Sequence, residues 1–268
     1  MRPEIRSPWI WLPPAVSLLL LVTLAVNGAN RSTFVLLNQL GHPLGDTLWL
    51  NLTMLGDGAV ALALVLPAIR RSPRCFWAAL VAAVFATLWV QLLKQTVSVP
   101  RPLAVLAVEE FFQSGPTYRA VSFPSGHATA IFAITGIWIM TLPGRNLLRA
   151  ALLGLAVLVS VSRVMVGVHW PIDILWGMLG GWLGAWTGLM VYARYCWRTS
   201  GPGGMLAGTV LLLVAASLLI SEHIRIPVVL PLQRLLGAIC LAWGACEMAL
   251  MLPRIGVGGH AKGELDGQ

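Results

Sequence analysis

Residues 162–193 read SRVMVGVHWPIDILWGMLGGWLGAWTGLMVYA, and they place this chain in a membrane. From Trp170 to Ala193 the one charged residue is Asp173. A run of that length matches the ~20 residues an α-helix needs to cross ~30 Å of hydrocarbon. Its leading edge is different in kind. Ser162, Arg163, His169 and Asp173 crowd the mouth of the run, where an ionisable group is costly unless it has a partner or a task.

Moving outward, comparable apolar stretches cover 8–28, 46–69, 76–97, 125–142, 148–168, 205–222 and 232–252, so that with 170–193 eight spanning helices are expected. Composition agrees, with 57% of residues hydrophobic and 10% charged, against about 25% charged in soluble domains. The first stretch follows Arg2 and Arg6 as a signal peptide would, but it is long and lacks a good small-residue cleavage site. It reads as an uncleaved anchor.

Net charge is +8, yet Lys and Arg are scattered over short loops rather than gathered in one stripe, which argues against nucleic acid as a partner. Positive charge instead reports orientation. With the N-terminus inside, Arg2, Arg6, Arg70, Arg71, Arg74, Arg145, Arg149, Arg194, Arg198, Arg254 and Lys262 all fall inside. N-in, C-in is therefore expected, with the polar motifs at the extracytoplasmic face. The four cysteines, Cys75, Cys196, Cys240 and Cys246, lack metal-ligand spacing and read as small apolar residues. Residues 32–41 are too short to span. They read either as an interfacial helix, with Phe34, Leu37 and Leu40 on one face, or as a connecting loop. No repeat or hydrophilic linker interrupts residues 1–255, so one domain is expected, followed by a disordered tail at 256–268.

Three segments carry the chemistry. Lys94 is followed after six residues by Arg101-Pro102; then comes Pro124-Ser125-Gly126-His127; then Ser162-Arg163, five residues, His169, three residues and Asp173. This tripartite pattern resembles the type 2 phosphatidic acid phosphatase superfamily. The resemblance covers residues 8–193, and 205–252 would add two C-terminal helices to the usual six. It implies an all-α, polytopic transmembrane helical bundle: a six-helix phosphatase core plus that extra pair, which could alter substrate access or oligomerisation.

By the same resemblance, His169 is the nucleophile that forms a phosphohistidine, Asp173 orients it, and His127 is the general acid. The residue types suit these tasks. A dianionic phosphate needs charge neutralisation, which Lys94, Arg101 and Arg163 can supply, the arginines through paired hydrogen bonds. Ser125 and Gly126 open a helix whose first N–H groups point at any anion in its mouth. Alone, each cation would read as a snorkelling side chain and each histidine as structural. Together they form a site. No ligand set suggests a metal and no cofactor is expected.

The resemblance further implies a lipid phosphate substrate drawn from the bilayer of a bacterial inner membrane: undecaprenyl pyrophosphate, phosphatidic acid, phosphatidylglycerol phosphate or the phosphates of lipid A. Phosphotransfer to a second lipid would use identical motifs, and a transporter with a degenerate core is the reading of a different class. Asp57 and Glu247, acids within apolar stretches, stay outside the site, as do Glu109 and Glu110 in the 98–124 loop.

Overall fold

The computed structural model describes residues 7–118, 121–142, 144–223 and 226–252; the tail expected at 256–268 lies outside them. In chain order the helices are α1 (Pro8–Val26), α2 (Asn30–Gly41), α3 (Asp46–Met54), α4 (Gly58–Ala63), α5 (Ala68–Arg71), α6 (Pro73–Thr96), α7 (Pro102–Val105), α8 (Gly126–Thr141), α9 (Asn146–Met165), α10 (Pro171–Tyr195), α11 (Pro202–Ile220) and α12 (Leu230–Ala249). Among the described residues there are no strands. α1, α6, α9, α10, α11 and the segment Pro227–Ala249 are each long and apolar enough to cross a membrane. Exposed leucines such as Leu19, Leu206 and Leu213 cover outer faces suited to lipid rather than water. The protein is an integral membrane helical bundle.

Two expected spans take an unexpected form. α8 has 16 residues, short for a membrane-crossing helix, but it lies at the centre of the bundle, with Ala128, Phe132, Ile137 and Ile139 all nearly inaccessible. The stretch 46–69, expected as one span, is instead broken into α3, α4 and α5. The breaks fall at Gly56-Asp57-Gly58 and before Pro67, where glycines weaken a helix and proline removes a backbone donor. Asp57 caps the restart: its Oδ1 accepts the N–H groups of Ala59 at 2.9 Å and Val60 at 3.2 Å. That is a structural use for this intramembrane acid.

Small residues bring α10 close to both neighbours, since without a hydrophobic driving force in lipid, helices associate through close packing. A Cβ on Gly181 would lie 2.3 Å from the Thr129 carbonyl of α8, and one on Gly177 would lie 2.6 Å from that of Ser125. On the other side, a Cβ on Gly188 would meet the Ala78 carbonyl of α6 at 2.2 Å. The start of α8 is thus pressed directly against the start of α10.

Residues 32–41 lie within α2, a helix and not a loop. Fully buried Asn38 uses its Nδ2 at 3.1 and 3.0 Å from the carbonyls of Val164 and Met165 at the end of α9, and its Oδ1 accepts from Phe112 N–H at 2.7 Å. The loop before α8 is tied down further out, where Glu110 pairs with Arg31 at 2.7 Å. Glu247 on α12 is buried and bonds the Nε groups of Arg70 and Arg71, fastening the C-terminal pair to α5. All four cysteines are unpaired.

Candidate active site

Four helix ends meet at one end of the bundle: the C-terminal turns of α6 and α9, which carry Lys94 and Arg163, and the N-termini of α8 and α10. The spacing between Arg163 and His169 has a local cause. α9 closes with Gly167 in the left-handed region, φ +80°, while Gly167 N–H donates to Val164 O at 3.0 Å and Val168 N–H to Arg163 O at 3.1 Å. This is a Schellman cap, in which the chain folds back over the last turn of its own helix. Only a residue without a Cβ fits, because one at Gly167 would lie 2.8 Å from the Phe112 carbonyl. The fold-back returns His169 to Arg163, whose carbonyl accepts the His169 N–H at 3.3 Å.

The three-residue gap from His169 to Asp173 also follows from capping. Pro171 begins α10 and Asp173 sits in its first turn, where a carboxylate complements the helix dipole. Asp173 Oδ2 accepts the Trp170 N–H at 2.9 Å, lies 3.2 Å from His169 Nδ1, and accepts a hydrogen bond from the Ser122 hydroxyl. Ser122 Oγ is also 3.3 Å from His169 Nδ1. With Nδ1 committed to this cluster, Nε2 is the ring nitrogen left for chemistry, and Arg101 Nη1 stands 3.5 Å from it.

Arg101 is itself held by the carbonyls of Val168 at 2.8 Å and Val121 at 3.3 Å, with its guanidinium 4.9 Å above the Tyr118 ring. Arg163 is 2% exposed; its Nη1 donates to Thr53 Oγ1 at 2.9 Å, while its buried Nε has no hydrogen-bond partner. A buried guanidinium with an unused donor calls for an anion. Lys94 is half-buried and acts electrostatically on both histidines, as do Arg101 and Arg163. Burial first, and then these three cations, hold the His169 imidazole well below its usual range, so the ring is neutral at neutral pH.

Ser125 caps α8, accepting the Ala128 N–H at 3.4 Å, and its own N–H donates to the Asp173 carbonyl at 3.0 Å. Gly126 and His127 form the first turn of α8. A Cβ on Gly56, at the first break of 46–69, would lie 2.9 Å from His127 Cβ, so that break packs on this histidine. Beneath His127 lies a cavity of about 310 Å³ walled by 56–65, α6 and α8, with Ala61, Leu62, Ala83, Ala130 and Ala133 among its apolar lining.

All eight candidate residues, Lys94, Arg101, Ser125, Gly126, His127, Arg163, His169 and Asp173, therefore belong to one cluster of loops and helix ends. Three further contributors were not legible in the motifs. Ser122, fully buried, stands three residues before Ser125; Thr53 is on the broken span; Tyr118 stacks under Arg101. A serine so near the second motif was a usable signal for Ser122. Nothing local marks Thr53 or Tyr118, which reach the site only through tertiary contact.

Comparison with known proteins gives a consistent result. Over 74 residues, 27% of this chain and 30% of the relative, the sequence is 39% identical to lipid A 1-phosphatase of Rhizobium etli. Over 65 residues, 23% and 30% of the respective chains, it is 45% identical to undecaprenyl-diphosphatase of Sulfolobus acidocaldarius. The matched stretch spans under a third of the length of both. In three dimensions it resembles Aquifex aeolicus LpxE, with a TM-score of 0.55, 28% identity, and coverage of 60% of this chain and 94% of that one. Residues 75–198, from the start of α6 to just past α10, match the PAP2 superfamily. The motifs and the bundle that gathers them agree with this match, and residues 75–198, a little under half of the chain, carry the PAP2 superfamily signature.

Proposed function

We propose that this protein is a lipid phosphate or diphosphate phosphatase working through a phosphohistidine. The observation that carries the reading is the His169 ring, bonded through Nδ1 to Asp173 and facing Arg101 through Nε2, beside an apolar cavity that begins at His127. Nε2 attacks phosphorus, and the bond from phosphorus to the lipid oxygen breaks as protonated His127 delivers its proton to that oxygen. Asp173 stabilises the positive charge that develops on His169. Neutral His127 then takes a proton from water; the hydroxide attacks phosphorus, the P–N bond breaks, and phosphate leaves. Lys94, Arg101, Arg163 and the N–H groups opening α8 stabilise charge on the non-bridging oxygens throughout.

The cavity supports a lipid over a soluble phosphoester, being walled by small apolar side chains and continuous with the acid. Undecaprenyl pyrophosphate and lipid A phosphates head the candidate substrates, in keeping with the names of the two relatives. Positive-charge distribution supports an N-in orientation, which turns the site outward from a bacterial inner membrane. The alternative, transfer of the phosphoryl group to a second lipid, uses the same intermediate.

The test is to incubate purified protein in detergent with lipid labelled in its phosphate and trap the enzyme by rapid quench. Acid-labile, base-stable label on the wild-type chain and none on His169→Ala is the expected pattern. Label retained by folded His169→Ala would overturn the assignment. Following the label into water or into added acceptor lipid separates hydrolysis from transfer.

A further inference from the structure

The C-terminal helices α11 and α12 lie outside the stretch that matches the family, yet they hold both ends of the broken span. At one end, the Pro227–Val229 turn that joins them packs on α3, with Val229 fully buried. At the other, Glu247 takes Arg70 through one carboxylate oxygen and Arg71 through the other, and Trp243 Nε1 donates to it at 3.1 Å. Between these ends the surfaces fit closely. A Cβ on Gly244 would lie 2.3 Å from Leu66 Cγ, and one on Gly208 would lie 2.6 Å from Ile69 Cδ1. Leu66 and Ile69 are fully buried there.

The segment so held is weak by itself. α3, α4 and α5 have 9, 6 and 4 residues, below the ~12–15 at which even favourable isolated helices become marginal. It is also where the site is most exposed to displacement. Thr53 holds Arg163, Gly56 packs on His127, and residues 56–65 form one wall of the apolar cavity. On its far side this wall rests on α11 and α12.

We propose that Glu247 is a positioning residue for substrate selection: by clamping Arg70 and Arg71 it sets the stand-off between α4 and α8, and so the hydrocarbon chains the cavity admits. The proposal rests on the lipid phosphatase reading above. A buried carboxylate shared by two guanidinium groups suits the task, because losing it leaves both arginines without their counter-charge and releases the wall at its base.

The experiment compares full-length wild type, Glu247→Gln, Gly244→Ala and Ala83→Leu in nanodiscs, on a soluble aryl phosphate and on lipid phosphates of short and long chain. Gly244→Ala moves the same wall by steric contact with Leu66 and leaves Glu247 intact; Ala83→Leu fills the cavity from α6, away from the pair. For Glu247→Gln, kcat on the aryl phosphate stays within about twofold of wild type while the long-to-short ratio of kcat/KM shifts by about tenfold. Gly244→Ala shifts the ratio too, and provides the measurement if Glu247→Gln does not fold. An unchanged ratio in the folded variants, or an equal loss on all three substrates, overturns the brace. If Ala83→Leu also leaves the ratio unchanged, the cavity is not the hydrocarbon site and that part of the lipid reading fails. A shift with Ala83→Leu alone removes only the role of Glu247.

Discussion

Ser125 donates its backbone N–H to the Asp173 carbonyl at 3.0 Å, which ties the loop that opens α8 to the first turn of α10. Each of these turns adjoins one of the two histidines. Their separation is therefore set by backbone contact, which side-chain substitution leaves in place. Glycines 177 and 181 keep α10 within reach for that bond to form.

Ser122 bridges the same two turns through its side chain, its hydroxyl donating to Asp173 Oδ2 and lying 3.3 Å from His169 Nδ1. Ser122→Ala should lower kcat by about 10- to 100-fold, the rate equivalent of the ~1.5–3 kcal/mol that a hydrogen bond to a charged group contributes. The phosphoenzyme should still form, more slowly, in single-turnover labelling. Wild-type kcat in this variant would mean that Asp173 orients His169 unaided.

The pH profile should carry the mark of the cations around His169. Burial, then Arg163, Arg101 and Lys94, all lower its affinity for protons, opposed by a hydrogen bond from its ring to the Ser122 backbone. A base with a lowered pKa stays neutral and nucleophilic as pH falls through the ordinary imidazole range, and is lost only further down. The acid limb of kcat/KM is expected below about 6.5, the unperturbed value. Lys94→Gln removes one of the lowering charges and should move the limb upward, whatever it does to the maximum. A wild-type limb at or above 6.5 would contradict the electrostatics of the site.

Close packing makes α10 sensitive to single methyl groups. Gly181→Ala puts a Cβ 2.3 Å from a backbone oxygen of α8, whereas Gly154→Ala on α9 meets nothing within 4 Å. Gly181→Ala should lower both melting temperature in detergent and activity. Gly154→Ala should leave activity alone and hold or raise stability, by up to ~1 kcal/mol from helix propensity. Equal behaviour of the two variants in a melting experiment would show that the α8–α10 contact is softer than its geometry.

On the proposed function, the three basic side chains around His169 supply the charge neutralisation that many phosphoryl-transfer enzymes draw from magnesium. Activity in detergent should survive EDTA, and vanadate, which has the shape and charge of phosphate, should inhibit competitively. Loss of activity on chelation with recovery on adding magnesium would show that the cations do not suffice.

Much of this protein was readable from its residues, and the reason is physical. Apolar length reports membrane crossing because hydrocarbon tolerates nothing else, so α1, α6 and α8 to α12 fall close to the expected stretches. Motif spacing reports local geometry. The gap from Arg163 to His169 encodes a Schellman cap and the gap from His169 to Asp173 a first helical turn, both formed within a few residues of chain.

What lay beyond reach depends on contacts between distant segments. Hydropathy sums over 46–69 and cannot register that Asp57 caps a restarted helix, or that Pro67 interrupts it, while the average stays apolar. Thr53 and Tyr118 carry no mark of their own, because their partners Arg163 and Arg101 are brought to them by packing. Glu247 is the clearest case: an acid within an apolar helix has a meaning only once the fold sets it between two arginines some 176 positions earlier in the chain.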